Sequence, residues 1–529
     1  MPFVPVGRHG VLLSSRRFFL ASLSVAVLGG SLLWTRHHHA PSVPAVKSTD
    51  SYWADTGLEP AALEDLLDST TCSSSERYFL ACANAIIAVA NRYNVTVDQQ
   101  GNVLPAHDGF IQDLSTEKKQ LAVWKQFFNQ NTAEATRFSF IKVWEKIEAK
   151  YISSSQKSLM VGVGLNGFIS VFRDPHTYLM PVAMFKEVVS RADNRMTTAG
   201  VQVGRLNGNY AIRKVLPGSA ADRAGLKRGD ILLEIDGKPV HPLLQARVME
   251  MLKGEEGTKV SLLVSRDGET IRKKLERTEI VVSTLTTQVI EGIKPIAVIG
   301  LNKFAKGSCD KMKEALEVVN KAHVRGLLFD LRDNPGGQME EAACIASLFV
   351  GGDKKIFDIR YLDPSKKAEE YFGGEPKIFD KPVAVLINAG SASAAEIVAG
   401  ALRDLNRAIL VGERTFGKGS FQEGEYWTQN KKIALFETKG FYYLPSGRSP
   451  QMKGLSPDVA VNFDKISVDR EEDQFVNPLM APERHVRSLK NLISSKDCLD
   501  TEDGAVNEDV QLKKARQILF CSKAIAGVN

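Results

Sequence analysis

A chain of 529 residues that is 43% hydrophobic and 25% charged has the make-up of a soluble globular protein with room for about three to four domains. Its formal charge of +6 is small for that length, which argues against a dedicated nucleic-acid binder, whose basic residues cluster on one face. Neither Cys-x-x-Cys nor His-Glu-x-x-His occurs, so no metal site is expected, and nothing implies a cofactor.

Residues 1–45 read as an export leader rather than as fold. Ser15-Arg-Arg-Phe-Phe-Leu-Ala21 leads into an apolar segment, Phe18 to Trp34, and Val43-Pro-Ala45 offers small residues for cleavage. Ser-Arg-Arg-x-Phe-Leu resembles the twin-arginine signal of bacteria, which points to the periplasm or cell envelope; general secretion is the other route. Left uncleaved, the segment approaches the length of a membrane span and would tether the protein to the membrane. His37, His38 and His39 follow as a solvated linker. The six cysteines fit an oxidising compartment. Cys72 and Cys82 flank a short segment and Cys498 and Cys521 flank the tail, which makes these four the disulfide candidates; Cys309 and Cys344 lie in the central region.

Residues 46–185 form a helical N-terminal region and the first segment of the core. Leu121, Trp124, Phe127 and Phe128, then Phe140, Val143, Trp144 and Ile147, recur at helical spacing from Glu76 to Tyr151. The pattern ends before the Gly-rich run Val161-Gly-Val-Gly-Leu-Asn-Gly167, and Asp174-Pro-His-Thr177 reads as a structural turn. Residues 199–280 are a separate small module of short β-like runs, with one helical segment from about Pro242 to Leu252. Pro217-Gly-Ser-Ala-Ala-Asp-Arg-Ala-Gly-Leu226, Lys227-Arg-Gly-Asp230 and Ile235-Asp-Gly237 resemble a PDZ domain in content and order. That resemblance implies capture of peptide C-termini by strand addition. The carboxylate loop would be formed by Gly200, Val201, Gln202 and Val203, with Gln202 where the family often has glycine.

Within residues 281–465, strands and helices alternate from Pro295 to about Val461, the mark of an α/β layer with crossover connections. Residues 466–529 read as a charged helical extension, a docking arm or cap. The expected class is thus α/β and α+β multidomain, a crossover α/β core with an inserted PDZ β-sandwich-like module between helical N- and C-terminal segments.

Asn388-Ala-Gly-Ser-Ala-Ser-Ala-Ala-Glu396 joins an apolar run to a helical pattern, a junction of the kind where crossover folds place their sites. A serine on the first helical turn has a positive helix end beneath it. By itself the stretch is more commonly a helix cap, with Ser391 capping and Ser393 packing. A nucleophilic serine needs a base, and the nine histidines are poorly placed by sequence. Lys418, between glycines in Thr415-Phe-Gly-Lys-Gly-Ser420, is the alternative. Free lysine has a pKa of ~10.4, so about one in 2500 is neutral at pH 7; lowering it to about 8 costs about 3.3 kcal/mol and requires burial. Gly412-Glu-Arg-Thr-Phe-Gly-Lys418 also matches the start of a phosphate-binding loop, but Gly419 stands where that loop needs Ser or Thr for magnesium.

These pieces, in this order, resemble the carboxyl-terminal processing (tail-specific) proteases. The others that carry the likeness are Asp174-Pro-His-Thr-Tyr-Leu179, Gly326-Leu-Leu-Phe-Asp-Leu-Arg-Asp-Asn-Pro-Gly-Gly337, Tyr443-Leu-Pro-Ser-Gly-Arg448 and Gly454-Leu-Ser-Pro-Asp458. The resemblance implies a Ser–Lys endopeptidase with Ser393 as nucleophile, Lys418 as general base and Gln422 steadying the lysine. It implies an oxyanion hole at backbone N–H groups of Gly336, Gly337 and Ala394, and an auxiliary, structural acid at Asp404. Apart from the resemblance, Arg332 and Asp333 could be only a surface pair. Expected partners are polypeptides with apolar or disordered C-termini, and the family pattern leaves room for an adaptor protein and for a homo-oligomer. The competing class is a peptide-binding envelope scaffold on a gated or inactive protease fold.

Overall fold

The computed structural model describes residues 49–93, 95–105, 114–172, 174, 176–190, 194–241, 245–292, 294–428, 430–461, 466–471, 479–486 and 509–521. The leader read over residues 1–45 and the disulfide candidate Cys498, and with it any pairing to Cys521, lie outside the described residues.

Four main helices build the N-terminal region: α1 (Glu76–Arg92), α2 (Leu114–Gln130), α3 (Phe140–Tyr151) and α4 (Lys157–Ser170). The residues at helical spacing converge, as an amphipathic pattern requires. Trp124, Phe140, Val143, Trp144 and Ile147 are buried, and the ring of Phe79 lies 5.1 Å from that of Phe140. Two local expectations are corrected. A short hairpin, Val95–Val97 with Val103–Pro105, interrupts the stretch read as helical. The Gly-rich run does not break the helix but lies within α4. A Cβ at Gly162 would lie 2.4 Å from the Trp53 ring, one at Gly164 2.6 Å from Leu63 and one at Gly167 2.7 Å from the Asn84 carbonyl oxygen. Close helix packing outweighs the poor helix propensity of glycine there. A disulfide joins Cys72 to Cys82.

After β1 (Tyr178–Pro181) the chain enters and leaves the inserted module through an antiparallel ribbon, Asn194–Thr198 paired with Thr278–Val282. Between the ribbon strands lie β2 (Val201–Leu206), β3 (Asn209–Val215), β4 (Ile231–Ile235), helix α5 (Gln245–Leu252), β5 (Lys259–Arg266) and β6 (Glu269–Glu276). The sheet order is β6-β5-β4-β3-β2, which leaves β2 at an edge. Val201, Val203, Tyr210, Ile212, Leu232, Ile235 and Leu262 fill its core.

The core comprises β7 (Leu285–Ile290), β8 (Ile296–Leu301), α6 (Ser308–Lys321), β9 (Leu327–Asp330), α7 (Met339–Val350), β10 (Lys355–Tyr361) and β11 (Glu369–Phe372). It continues with β12 (Val383–Ile387), α8 (Ala394–Asp404), β13 (Ala408–Gly412), β14 (Ser420–Tyr426), β15 (Ile433–Tyr443) and β16 (Val459–Ala460). The main sheet runs β7-β8-β9-β12-β13-β16, parallel except for β7. Alternate residues serve its two faces, as the pleat dictates. Leu327, Phe329, Val383, Val385 and Leu410 join the core shared with α6–α8. Leu328, Ala384, Leu386 and Ile409 face Ala515, Ile518 and Leu519 of α9 (Val510–Cys521). A second disulfide, Cys309–Cys344, ties α6 to α7. A further sheet, β11-β10-β15-β14 with β1 on β15, has no counterpart among the expected elements. Among the described residues of the tail, 466–470 carry one isolated bridge, at Ser467, 479–486 have no regular structure, and α9 packs on the main sheet.

Candidate active site

The loops after β9, β12 and β13 leave the carboxyl ends of three adjacent parallel strands, the place where open α/β sheets gather their functional groups. The first holds Asn334-Pro-Gly-Gly337, the second Asn388–Ser393 and the third Glu413–Gly419.

Ser391 and Ser393 take different roles. Ser391 is buried, donates its hydroxyl to the Leu331 carbonyl at 2.7 Å and accepts from Asn388 N–H at 3.0 Å, so it locks the loop. Ser393 stands at the N-cap position of α8 with φ +54° and ψ −118°. A non-glycine residue held at positive φ stores strain, and such outliers gather at functional sites. Small neighbours make the turn fit. A Cβ on Gly336, itself at φ +98°, would lie 2.7 Å from Ser393 Cβ and 2.9 Å from the Ala394 nitrogen. The Asn-Pro-Gly-Gly turn therefore lies directly against the serine and the start of α8. The Gly336 N–H already donates to Asn334 Oδ1 at 2.9 Å, so of the three amides expected to form an oxyanion hole, Gly337 and Ala394 are the better fit.

Lys418 is brought to Ser393 by two residues that sequence reasoning missed. Glu396 is fully buried. Its Oε2 accepts from Ser393 N–H and Lys418 N–H, both at 2.9 Å, which holds those nitrogens within about 6 Å of each other. Its Oε1 accepts from Gly417 N–H at 3.0 Å and from the Thr415 hydroxyl. Burial pushes its carboxyl up to about 8, opposed by these four hydrogen bonds. Tyr442, also buried, donates to the carbonyls of Lys418 at 2.6 Å and of Ser393 at 3.1 Å. The only advance signal for Glu396 is its place three residues after an N-cap serine; Tyr442 has none.

The Lys418 ammonium donates to Gln422 Oε1 at 3.0 Å. Gln422 Nε2 in turn donates to Ser420 and Thr438 hydroxyls at 3.1 and 3.2 Å, which fixes its orientation. Desolvation lowers the lysine pKa, countered by the carboxylates of Glu471, Asp174 and Glu396. Asp174 accepts from the hydroxyls of Thr177 and Thr438, so the turn read as purely structural borders the lysine's surroundings. His176 Nε2 lies 2.8 Å from Glu471 Oε1.

Asp404 is remote from this cluster in its contacts. It accepts from Ser446 N–H at 2.9 Å and so braces the turn after β15, with its carboxyl raised by burial. Arg332 and Asp333 do not pair with each other as a surface pair would. Arg332 binds Asp330 and Asp509, while Asp333 pairs with Arg213 of β3, a contact from the inserted module to the turn beside Ser393. The expected carboxylate loop begins at Gly200, φ +95°, where a Cβ would lie 2.2 Å from the Ser219 side chain; Ala199 N–H donates to the Leu252 carbonyl at the end of α5. Among the described residues no group of three or more His, Cys, Asp or Glu could hold a metal ion.

Residues 295–461 match Peptidase family S41, and residues 212–266 match the PDZ domain. The carboxy-terminal processing protease CtpA of Bacillus subtilis is 31% identical over 328 residues, which cover 60% of this chain and 69% of that protein. A probable CtpA-like serine protease of Staphylococcus aureus is 25% identical over 63% of this chain and 66% of its own length. The solved photosystem II D1 C-terminal processing protease aligns over 74% of this chain and 95% of its own, with 21% identity and a TM-score of 0.46. The chain belongs to the carboxy-terminal processing proteases, the S41 serine peptidases that carry a PDZ domain.

Gly336→Ala tests the close approach. With no room for a Cβ and an unfavourable φ, the variant is expected to lose about 100-fold or more in kcat/KM on an unstructured protein substrate while KM changes little. Wild-type turnover would show that the turn does not shape the reacting centre.

Proposed function

We propose that this chain is an exported endopeptidase that cleaves polypeptides near their C-termini with a Ser393–Lys418 dyad. The observation that carries this reading is the double clamp of Glu396 and Tyr442 on the backbones of both residues, with the lysine ammonium held by Gln422. Ser393 Oγ attacks the scissile carbonyl and passes its proton to neutral Lys418. The carbonyl oxygen gains negative charge near the Gly337 and Ala394 amides, at the positive end of α8. The amine leaves with a proton from the lysine; water then attacks the acyl-enzyme, with Lys418 again as base, and restores Ser393. No metal or cofactor enters these steps.

The PDZ module captures the substrate's tail as an added strand on β2, with its carboxylate at the Gly200–Val203 loop. This favours substrates with apolar, disordered C-termini. The Arg213–Asp333 pair offers a physical link from that module to the catalytic turn. Among the described residues no helix is long and apolar enough to cross a membrane; export rests on the leader pattern.

Paired substrates that differ only in a free or amidated C-terminus test the capture step. Amidation is expected to reduce kcat/KM about ten-fold or more, through KM, because the loop amides lose a charged acceptor. Equal rates would remove tail capture and leave the dyad standing.

A further inference from the structure

Strand addition requires the one edge of β2 that β3 does not occupy, because β2 ends its sheet. A segment of the chain itself lies on that edge. Arg205 N–H donates to the Ser467 carbonyl and Ser467 N–H donates to the Arg205 carbonyl, both at 2.7 Å, an antiparallel bridge. The approach is close: a Cβ on Gly204 would lie 2.5 Å from the Ser467 carbonyl oxygen and 2.8 Å from Ile466, which is buried.

Four residues further on, the same segment reaches the lysine's surroundings. Glu471 is fully buried and its N–H donates to the Phe416 carbonyl, in the loop that carries Lys418, at 3.3 Å. Its Oε1 accepts from Gln451 at 3.2 Å and lies 2.8 Å from His176, while its buried Oε2 has no partner among the described residues. Four residues span at most about 14 Å, so lifting Ser467 from the edge of β2 draws on the chain that holds Glu471.

Resting on the tail-capture reading above, we propose that Ile466–Glu471 is an internal strap that competes with substrate for β2: Ser467 occupies the edge at Arg205, Glu471 is anchored beside Lys418, and a long substrate tail must displace the strap to bind. A tail whose carboxylate sits at Gly200–Val203 runs antiparallel to β2 and meets Arg205 only about four residues upstream. A tail long enough to reach Arg205 therefore binds only at the expense of the strap. The strap makes engagement depend on the length of disordered tail, and it ties PDZ occupancy to the segment packed around the catalytic lysine.

The test uses the full-length chain with Ser393→Ala to prevent cleavage, and free-acid peptides of about four and about ten residues with the same apolar C-terminus. Ser467→Pro removes the donor to Arg205. It is expected to tighten the long peptide about ten-fold and by clearly more than the short one, while Ser467→Ala, which keeps both backbone bonds and loses only the hydroxyl's contact to the Arg205 carbonyl at 3.3 Å, changes either by no more than about two-fold. No gain for the long peptide, or an equal gain for both, overturns the strap. A lock gives the opposite sign within one protein: Arg205→Cys with Ser467→Cys, at the separation of a bonded antiparallel pair, is expected to weaken the long peptide about ten-fold or more when oxidised and to recover on reduction. Unchanged affinity on oxidation overturns the strap as well. If neither peptide binds any of these chains, tail capture itself fails, an outcome distinct from binding that ignores residue 467.

Discussion

Ser393→Ala is expected to lower kcat on an unstructured protein substrate by about 10⁵-fold or more, and Lys418→Ala by about 10⁴-fold or more, with the fold intact in both. In the proposed mechanism Ser393 forms the covalent intermediate and neutral Lys418 takes its proton, so each loss should be severe. The pH profile identifies the base. Enclosure lowers the Lys418 pKa below its ordinary 10.5, so wild-type kcat should rise with pH as the lysine loses its proton and level off before the free-lysine range. Gln422→Ala, which removes the partner of the ammonium, should move that rise and reduce kcat less than Lys418→Ala does. Turnover by Lys418→Ala near the wild-type rate would assign the base to another group. A wild-type enzyme inert at every pH would instead favour the peptide-binding scaffold.

Glu396→Ala should be nearly as damaging, by a different route. It leaves three backbone N–H groups and the Thr415 hydroxyl without their acceptor in a fully enclosed site. At about 1–3 kcal/mol for each buried group left unsatisfied, the loss in stability should be about 4 kcal/mol or more, and kcat should fall over 100-fold as the Ser393 and Lys418 backbones part. Glu396→Gln keeps the volume and, like the protonated carboxyl, one full acceptor, so it should restore part of the stability below about pH 8 and cannot follow the wild type through the titration. Urea titration and kcat on the two variants read both effects; a stable, active Glu396→Ala protein would show that the clamp is dispensable. The linkage has a definite sign. A carboxyl raised from 4.5 to about 8 on folding contributes stability that is full below about pH 4.5 and is lost as pH rises through about 8. That slope should be present in wild type and missing from Glu396→Gln.

Much of the site was legible because its chemistry is local. Gly390-Ser-Ala-Ser-Ala-Ala-Glu396 and Thr415-Phe-Gly-Lys-Gly419 each lie on a strand-end loop whose apolar flanks announce the strand and helix around it. Four strands of the main sheet, β8, β9, β12 and β13, were readable for the same reason, since they are short, mostly apolar runs. The sheet that carries Gln422 was not, because strands such as Ser420–Tyr426 and Glu369–Phe372 are half exposed and charged. Their pairing comes from neighbours remote in the chain rather than from their own pattern. The run with glycines at 162, 164 and 167 lay beyond the helical pattern read from the sequence, and close packing makes it a helix.

By itself the sequence determined most classes of element and the order of the modules, and it singled out Ser393 and Lys418 as candidates, since propensity, periodicity and side-chain chemistry are properties of a short stretch. Only the tertiary structure decided that Ser393, rather than Ser391, takes the strained cap position, and that Glu396 and Tyr442 bind it to Lys418. It also placed Ser467 on the edge of the PDZ sheet and Glu471 beside the lysine. Hydrogen bonds between residues scores of positions apart leave no periodic trace in the chain, because their partners become neighbours only when the sheets and loops close around one another.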